Sequence, residues 1–232
     1  MGGPLADALA ADVIAGAPNP AAGRRADGST PMWVGGSLGG TTGLVFAASD
    51  PEMRYAVINT PGAAWSQWIW QSDAFDIIHG FLRLRYADDV DLGVALAIGQ
   101  TNFDYADGTA WAEAARENPT VFLVQESMGD PILPNPGTEM AALAAGAAHV
   151  GGILEPIVGI APAEEVIEGS GITQFRTTGS VYDIHGFAAT DAPAGVAARE
   201  QILEFIGTAY AGSSRIAPPP SCPTSGCDFA SP

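Results

Sequence analysis

The stretch PMWVGGSLGGTTGLVFAAS, residues 31–49, restricts the fold more than any other part of the chain. A short apolar run bounded by Pro31 and by Gly35-Gly36 reads as a buried β-strand. From Leu38 to Ser49 the chain fits a helix despite its glycines, and Asp50-Pro51 ends it. Between the two stands Ser37, with Gly35 and Gly39 at the small positions on either side. A strand that turns within one residue into a helix strains the backbone there, and it needs small neighbours where strand and helix close on each other. A serine at such a turn lies beside the helix N-terminus and the Leu38 N–H. A chain with 29 glycines forms G-x-S-x-G readily. The pattern therefore gains meaning only from its context, and the bland reading is a glycine-rich βα turn without chemistry.

The context is an alternation of strands and helices. RYAVINT (54–60) reads as a second strand, and strand–helix–strand implies a parallel sheet with helices on its faces, an α/β fold. From Pro61 to about Asn118 no strand pattern occurs. The segments TPGAAWSQWIWQSDAF, GFLRLRYADDVDLGVALAIGQ and TAWAEAARE read as two to four helices inserted over the sheet. PTVFLVQ (119–125) is a third strand, EMAALAAGA (139–147) a helix, and ITQFRTT (172–178) a fourth strand. Val150–Ser170 fits loops with one further short strand, and APAGVAAREQILEFIGTAY (192–210) closes the fold as an amphipathic helix. Pro4–Ala15 also has helical spacing. Residues 1–212 are thus expected to form one domain, with 63–118 as a cap and 213–232 as a Pro/Ser-rich tail.

That tail holds the only two cysteines, Cys222 and Cys227. A close pair without others suits a small disulfide loop in an exported protein, with free thiols as the alternative; two ligands are too few for zinc. The expected location is secreted or periplasmic, although MGGPLADALAADV lacks the basic start and cleavage pattern of a signal peptide. The net charge of −17 argues against nucleic acid and anionic membrane surfaces as partners. All nine basic residues are Arg, which reflects genome composition or an acidic, salt-tolerant surface and names no function. No metal or other cofactor is expected, because His and Cys lack ligand spacing and no phosphate-binding fingerprint follows a first strand.

A serine hydroxyl becomes a useful nucleophile when an imidazole takes its proton and an acid orients that imidazole. Of the three histidines, His79 sits on an apolar cap segment, DIIHGF, and suits packing. His149 follows an Ala-rich helix and suits a structural place. His185, in SVYDIHGF, falls in a loop after the fourth strand, at the sheet edge where parallel strands collect functional groups. Asp130, in ESMGDPILP, follows the third strand on the same edge. Asp183 and Glu126 compete for the acid role: Asp183 is close to His185 in sequence, and Glu126 lies nearer the strand end. Ser37, Asp130 and His185 follow separate strands in the chain order of the α/β-hydrolase fold.

GGSLGG after a strand, MGDPILPNPG after a later strand and DIHGF before a terminal helix resemble the C-terminal part of an α/β-hydrolase. They are most similar to bacterial esterases and lipases, including large exported lipases of the virulence-factor type. The resemblance covers roughly Pro4–Tyr210 and implies a mostly parallel sheet, shortened at its N-terminal side. It implies Ser37 as nucleophile, His185 as general acid/base, Asp130 as orienting acid and the Leu38 N–H as one oxyanion donor.

The chain departs from that pattern before Pro31. Strands usually precede the elbow strand, and an HGGG-like loop usually supplies a second oxyanion donor, worth about 2.7–4 kcal/mol. Three explanations fit: a piece of a longer protein, a minimal hydrolase with its donor on another loop, or a bare strand edge paired with a second copy. The last predicts a homodimer. Trp65, Trp68 and Trp70 crowd the start of the cap, where they either offer an apolar surface to substrate or pack the cap onto the core. The expected substrate is a small-molecule or lipid ester with an apolar part. Thioesterase, amidase or acyltransferase chemistry shares the machinery, and an inactive interaction subunit is the non-enzymatic alternative.

Overall fold

The structure is a computed structural model, described for residues 13–14, 17–18, 30–86 and 88–230. It divides into two compact units, Met1–Pro31 and Met32–Pro232. In the first, Val13–Ile14 (β1) pairs antiparallel with Ala17–Pro18 (β2). The helix expected over Pro4–Ala15 otherwise lies outside the described residues, and its end is extended rather than helical.

The second unit is an α/β layer structure. Its strands are Met32–Gly36 (β3), Tyr55–Asn59 (β4), Val121–Ser127 (β5), Ala148–Val150 (β6), Pro162–Ala163 (β7), Val166–Ile167 (β8), Gly171–Arg176 (β9), Arg215–Ile216 (β10) and Cys227–Asp228 (β11). Seven of them form one sheet in the order β3-β4-β5-β9-β6-β7, with β11 beside β9, while β8 and β10 pair separately. Every described pairing in the large sheet is parallel. This mostly parallel sheet with flanking helices is an α/β fold. The chain passes from β5 to β6 over an empty place that β9 later fills, so the C-terminal ends of β3, β4, β5 and β9 lie side by side.

Strand alternation assigns the two faces. Phe122 and Val124 of β5, with Ala56 and Ile58 of β4, pack against Leu44 and Ala47 of helix Leu38–Ser49 (α1). The cap follows as Trp65–Gln71 (α2), Asp76–Arg85 (α3), Asp89–Phe103 (α4) and Ala112–Glu117 (α5), and helix Asn135–Ala144 (α6) joins the same core through Ala141 and Ala142. Val57, Val121 and Leu123 face the other way, onto Phe205 of Pro193–Tyr210 (α8), which follows the short helix Val181–His185 (α7). Covered on both faces, β5 is buried at every position, as its VFLVQES run requires.

The C-terminal stretch is part of the sheet. Cys222 and Cys227 form a disulfide, and Cys227 is buried beside Phe175 and Phe187 while its strand β11 lines up with β9. Among the described residues no helix is long and apolar enough to cross a membrane.

Candidate active site

Ser37 occupies the single residue between β3 and α1, at φ 56° and ψ −124°. Such a conformation costs a side-chain-bearing residue about 1–3 kcal/mol and persists only where the surroundings enforce it. The Ser37 N–H donates to the Asn59 carbonyl at 3.0 Å, and the Ser37 carbonyl accepts from the Thr41 N–H at 2.9 Å. The Thr41 hydroxyl donates to the same carbonyl and accepts the Gly62 N–H at 2.9 Å, tying the elbow to the turn after β4. Glycine lets the layers close. A Cβ on Gly35 would stand 2.3 Å from the Gly39 carbonyl oxygen, one on Gly40 2.8 Å from the Asn59 carbonyl oxygen, and one on Gly43 2.6 Å from Ile58 Cγ2. Gly39 is different: a Cβ there would meet nothing within 4 Å. The close approach expected at Gly39 falls instead on Gly40 and Gly43, which share one face of α1.

Asp130 follows β5 in a loop that its own carboxylate organises. Oδ1 accepts the Ile132 and Leu133 N–H groups at 2.8 and 3.1 Å, and Oδ2 is left for His185 Nδ1 at 2.7 Å. The carboxylate can only accept, so Nδ1 carries the hydrogen and Nε2 is free to accept from the Ser37 hydroxyl at 2.8 Å. His185 ends α7, where a loop was expected. The Ser127 hydroxyl donates to the Ile184 carbonyl at 2.6 Å and the Thr60 hydroxyl to the His185 carbonyl at 3.4 Å, holding that helix end over β4 and β5.

The two competing acids are engaged elsewhere. Asp183 closes a capping box at the start of α7, accepting from the Ser180 N–H and hydroxyl, and these bonds hold its carboxyl below the usual range. Glu126 accepts from the side chains of Asn135 and Gln174.

A cavity of about 300 Å³ opens beside Ser37 and His185. Val34, Val57, Ala188, Ala189 and Ile202 give it an apolar wall. Leu38 takes the first position of α1, where an N–H has no partner within its own helix, and its side chain is exposed. Trp65, Trp68 and Trp70 are not among the residues that line this cavity. Trp68 is buried against Trp65 and Phe75, Trp65 stacks on Phe103, and Trp70 lies between His79 and the Arg83 guanidinium. All of these contacts lie within the cap. His79 holds the Ile69 carbonyl within the cap, and His149 is buried in β6. A larger groove of about 730 Å³ runs along Gly151, Pro162, Pro218 and Cys222, with Glu164 its only ionisable lining residue. Size and side-chain chemistry therefore point to different places, since the Ser37–His185–Asp130 hydrogen-bond chain lies at the smaller cavity. Among the described residues no three His, Cys, Asp or Glu side chains cluster as metal ligands.

A solved acetyl xylan esterase from Paenibacillus sp. R4 is similar over 70% of this chain, at 19% identity and a TM-score of 0.43. The match covers 45% of that protein, so the chain spans less than half its length. No protein-family model and no curated protein sequence matches the chain.

Proposed function

We propose that this chain is a serine hydrolase of the esterase type. The observation that carries the reading is the continuous hydrogen-bond chain from Ser37 Oγ through His185 to Asp130, set on a strained strand-to-helix turn. In the proposed reaction the Ser37 oxygen attacks the ester carbonyl carbon while His185 Nε2 takes the hydroxyl proton. The negative oxygen of the tetrahedral intermediate is met by the Leu38 N–H. Collapse breaks the bond to the alcohol oxygen, which leaves with the proton from His185, and the acyl group stays on Ser37. Water, deprotonated by His185, then releases the carboxylic acid and restores the hydroxyl.

The apolar wall of the cavity supports an ester with an apolar part. Thioester hydrolysis and acyl transfer would use the same groups with a different leaving group or acceptor. The disulfide supports work in an oxidising compartment, secreted or periplasmic. The reading extends to a homodimer, since within Met32–Pro232 and among the described residues β3 pairs with β4 alone. Short p-nitrophenyl esters assayed with the wild type and Ser37→Ala test the proposal. The expected loss in kcat is at least about 10³-fold; activity unchanged by the substitution would overturn the nucleophile assignment, and a wild type without activity would favour an interaction subunit.

A further inference from the structure

Glu126 sits at the end of β5, fully buried, and the reaction above gives it no part. Its two oxygens have separate partners: Oε1 accepts from Asn135 Nδ2 at 2.9 Å and Oε2 from Gln174 Nε2 at 3.0 Å. Neither amide can turn round. Asn135 Nδ2 also donates to the Ser127 carbonyl at 2.8 Å, and Asn135 Oδ1 accepts the Gly129 N–H at 2.7 Å. Gln174 Oε1 accepts the Leu154 and Glu155 N–H groups at 3.0 and 2.9 Å. Both amides therefore present N–H to Glu126, a setting matched by two accepting carboxylate oxygens. A proton gained on either oxygen is a donor for which neither amide offers an acceptor.

The consequence runs toward the triad. Asn135 spans the turn from Ser127 to Gly129, and Asp130 is the next residue. We propose that Glu126 is a positioning residue: its ionised carboxylate, through Asn135, fixes the turn that presents Asp130 to His185, and a proton gained there loosens the triad without touching the reacting atoms. This rests on the serine-hydrolase reading.

The surroundings set where that proton arrives. Burial pushes the Glu126 carboxyl from 4.5 up to about 7, against the pull of its Gln174 and Asn135 bonds. Glu139 on α6 and Glu155 in the loop before β7 add repulsion, and Arg176 of β9 is paired with Glu155. Asp130 is the titratable group on the loop, and Tyr182, Asp183 and His185 are those on the helix that meets it. A carboxyl raised in the fold contributes stability that is complete below 4.5 and is lost as pH rises through about 7. Positioning needs the ionised form, so at this residue fold and activity draw in opposite directions.

The test compares pH profiles of p-nitrophenyl butyrate hydrolysis for the wild type and Glu126→Gln. Fluorophosphonate labelling of wild-type Ser37 at alkaline pH is run alongside. The acid limb of kcat is expected to show two protons in the wild type and one in Glu126→Gln, with kcat lowered roughly 10–100-fold and KM held. Superimposable profiles and equal kcat would overturn the proposal. A second measurement avoids the variant: in His185→Ala, the Gly129 amide resonance is expected to titrate with a midpoint near that of Glu126. A flat resonance between about pH 5.5 and 8.5 overturns the proposal, and this titration decides alone if Glu126→Gln does not fold. Absence of Ser37 labelling overturns the hydrolase reading and the positioning role that rests on it. Labelling with a flat Gly129 resonance overturns the Glu126 role alone.

Discussion

Asp130 and His185 follow the central strands β5 and β9, whereas Ser37 stands at the edge of the sheet. β5 is buried at every position, while β3 leaves Val34 59% exposed, and the elbow's next residue, Leu38, is 55% exposed. Asp130, the proposed orienting acid, is held by side-chain chemistry: three hydrogen bonds occupy its carboxylate, and Ser127 and Thr60 hold the helix end that carries His185. Ser37, the proposed nucleophile, is held by backbone geometry, a positive φ closed over glycines. Changes to polar atoms should therefore act on the acid–base half, and changes of volume on the serine half.

The largest effect is expected on the polar side. In Asp130→Asn the oxygen still accepts from Ile132 and Leu133, which leaves the new NH₂ facing His185 Nδ1. Nδ1 must then accept, Nε2 carries the hydrogen, and the proton of Ser37 has nowhere to go. A fall in kcat of about 10⁴-fold with little change in stability is expected, and kcat within tenfold of wild type would break the assignment of roles. On the serine side, Gly35→Ala is expected to cost about 1–3 kcal/mol in chemical denaturation. Gly39→Ala, facing open space in a helix, should be neutral or stabilising by up to about 1 kcal/mol. Equal effects at the two glycines would contradict the close approach assigned to Gly35. The smallest effect concerns the β3 edge. Sedimentation at micromolar concentration should show a dimer that Val34→Lys weakens, and a monodisperse wild-type monomer would contradict pairing through that edge.

Local pattern made much of this legible. Strand-to-helix spacing at Ser37, the Val/Phe run of β5 and the amphipathic period of α8 are properties of neighbouring residues, and they point to the strand-to-helix turn, the sheet and the loop carrying Asp130, whereas the short helix that ends at His185 reads as a loop. What escaped depends on distant partners. β6 is only Ala148–Val150, inside an Ala/Gly-rich run, and β11 is two residues of a Pro-rich stretch that become a strand by pairing with β9. The motif puts a close approach at Gly39, whereas packing acts at Gly40 and Gly43, the face of α1 turned to the sheet. Asp183 differs from Asp130 through the capping box that engages it. The network of Glu126, Asn135 and Gln174 has no sequence signature, because it joins the end of β5, the start of α6 and the middle of β9.

The most direct test of the central claim is fluorophosphonate labelling of the native protein, with the modified residue mapped by mass spectrometry. The account predicts a single adduct on Ser37 that is absent in Ser37→Ala and strongly reduced in His185→Ala. No adduct on the wild type, or one on another residue that survives both substitutions, would contradict it.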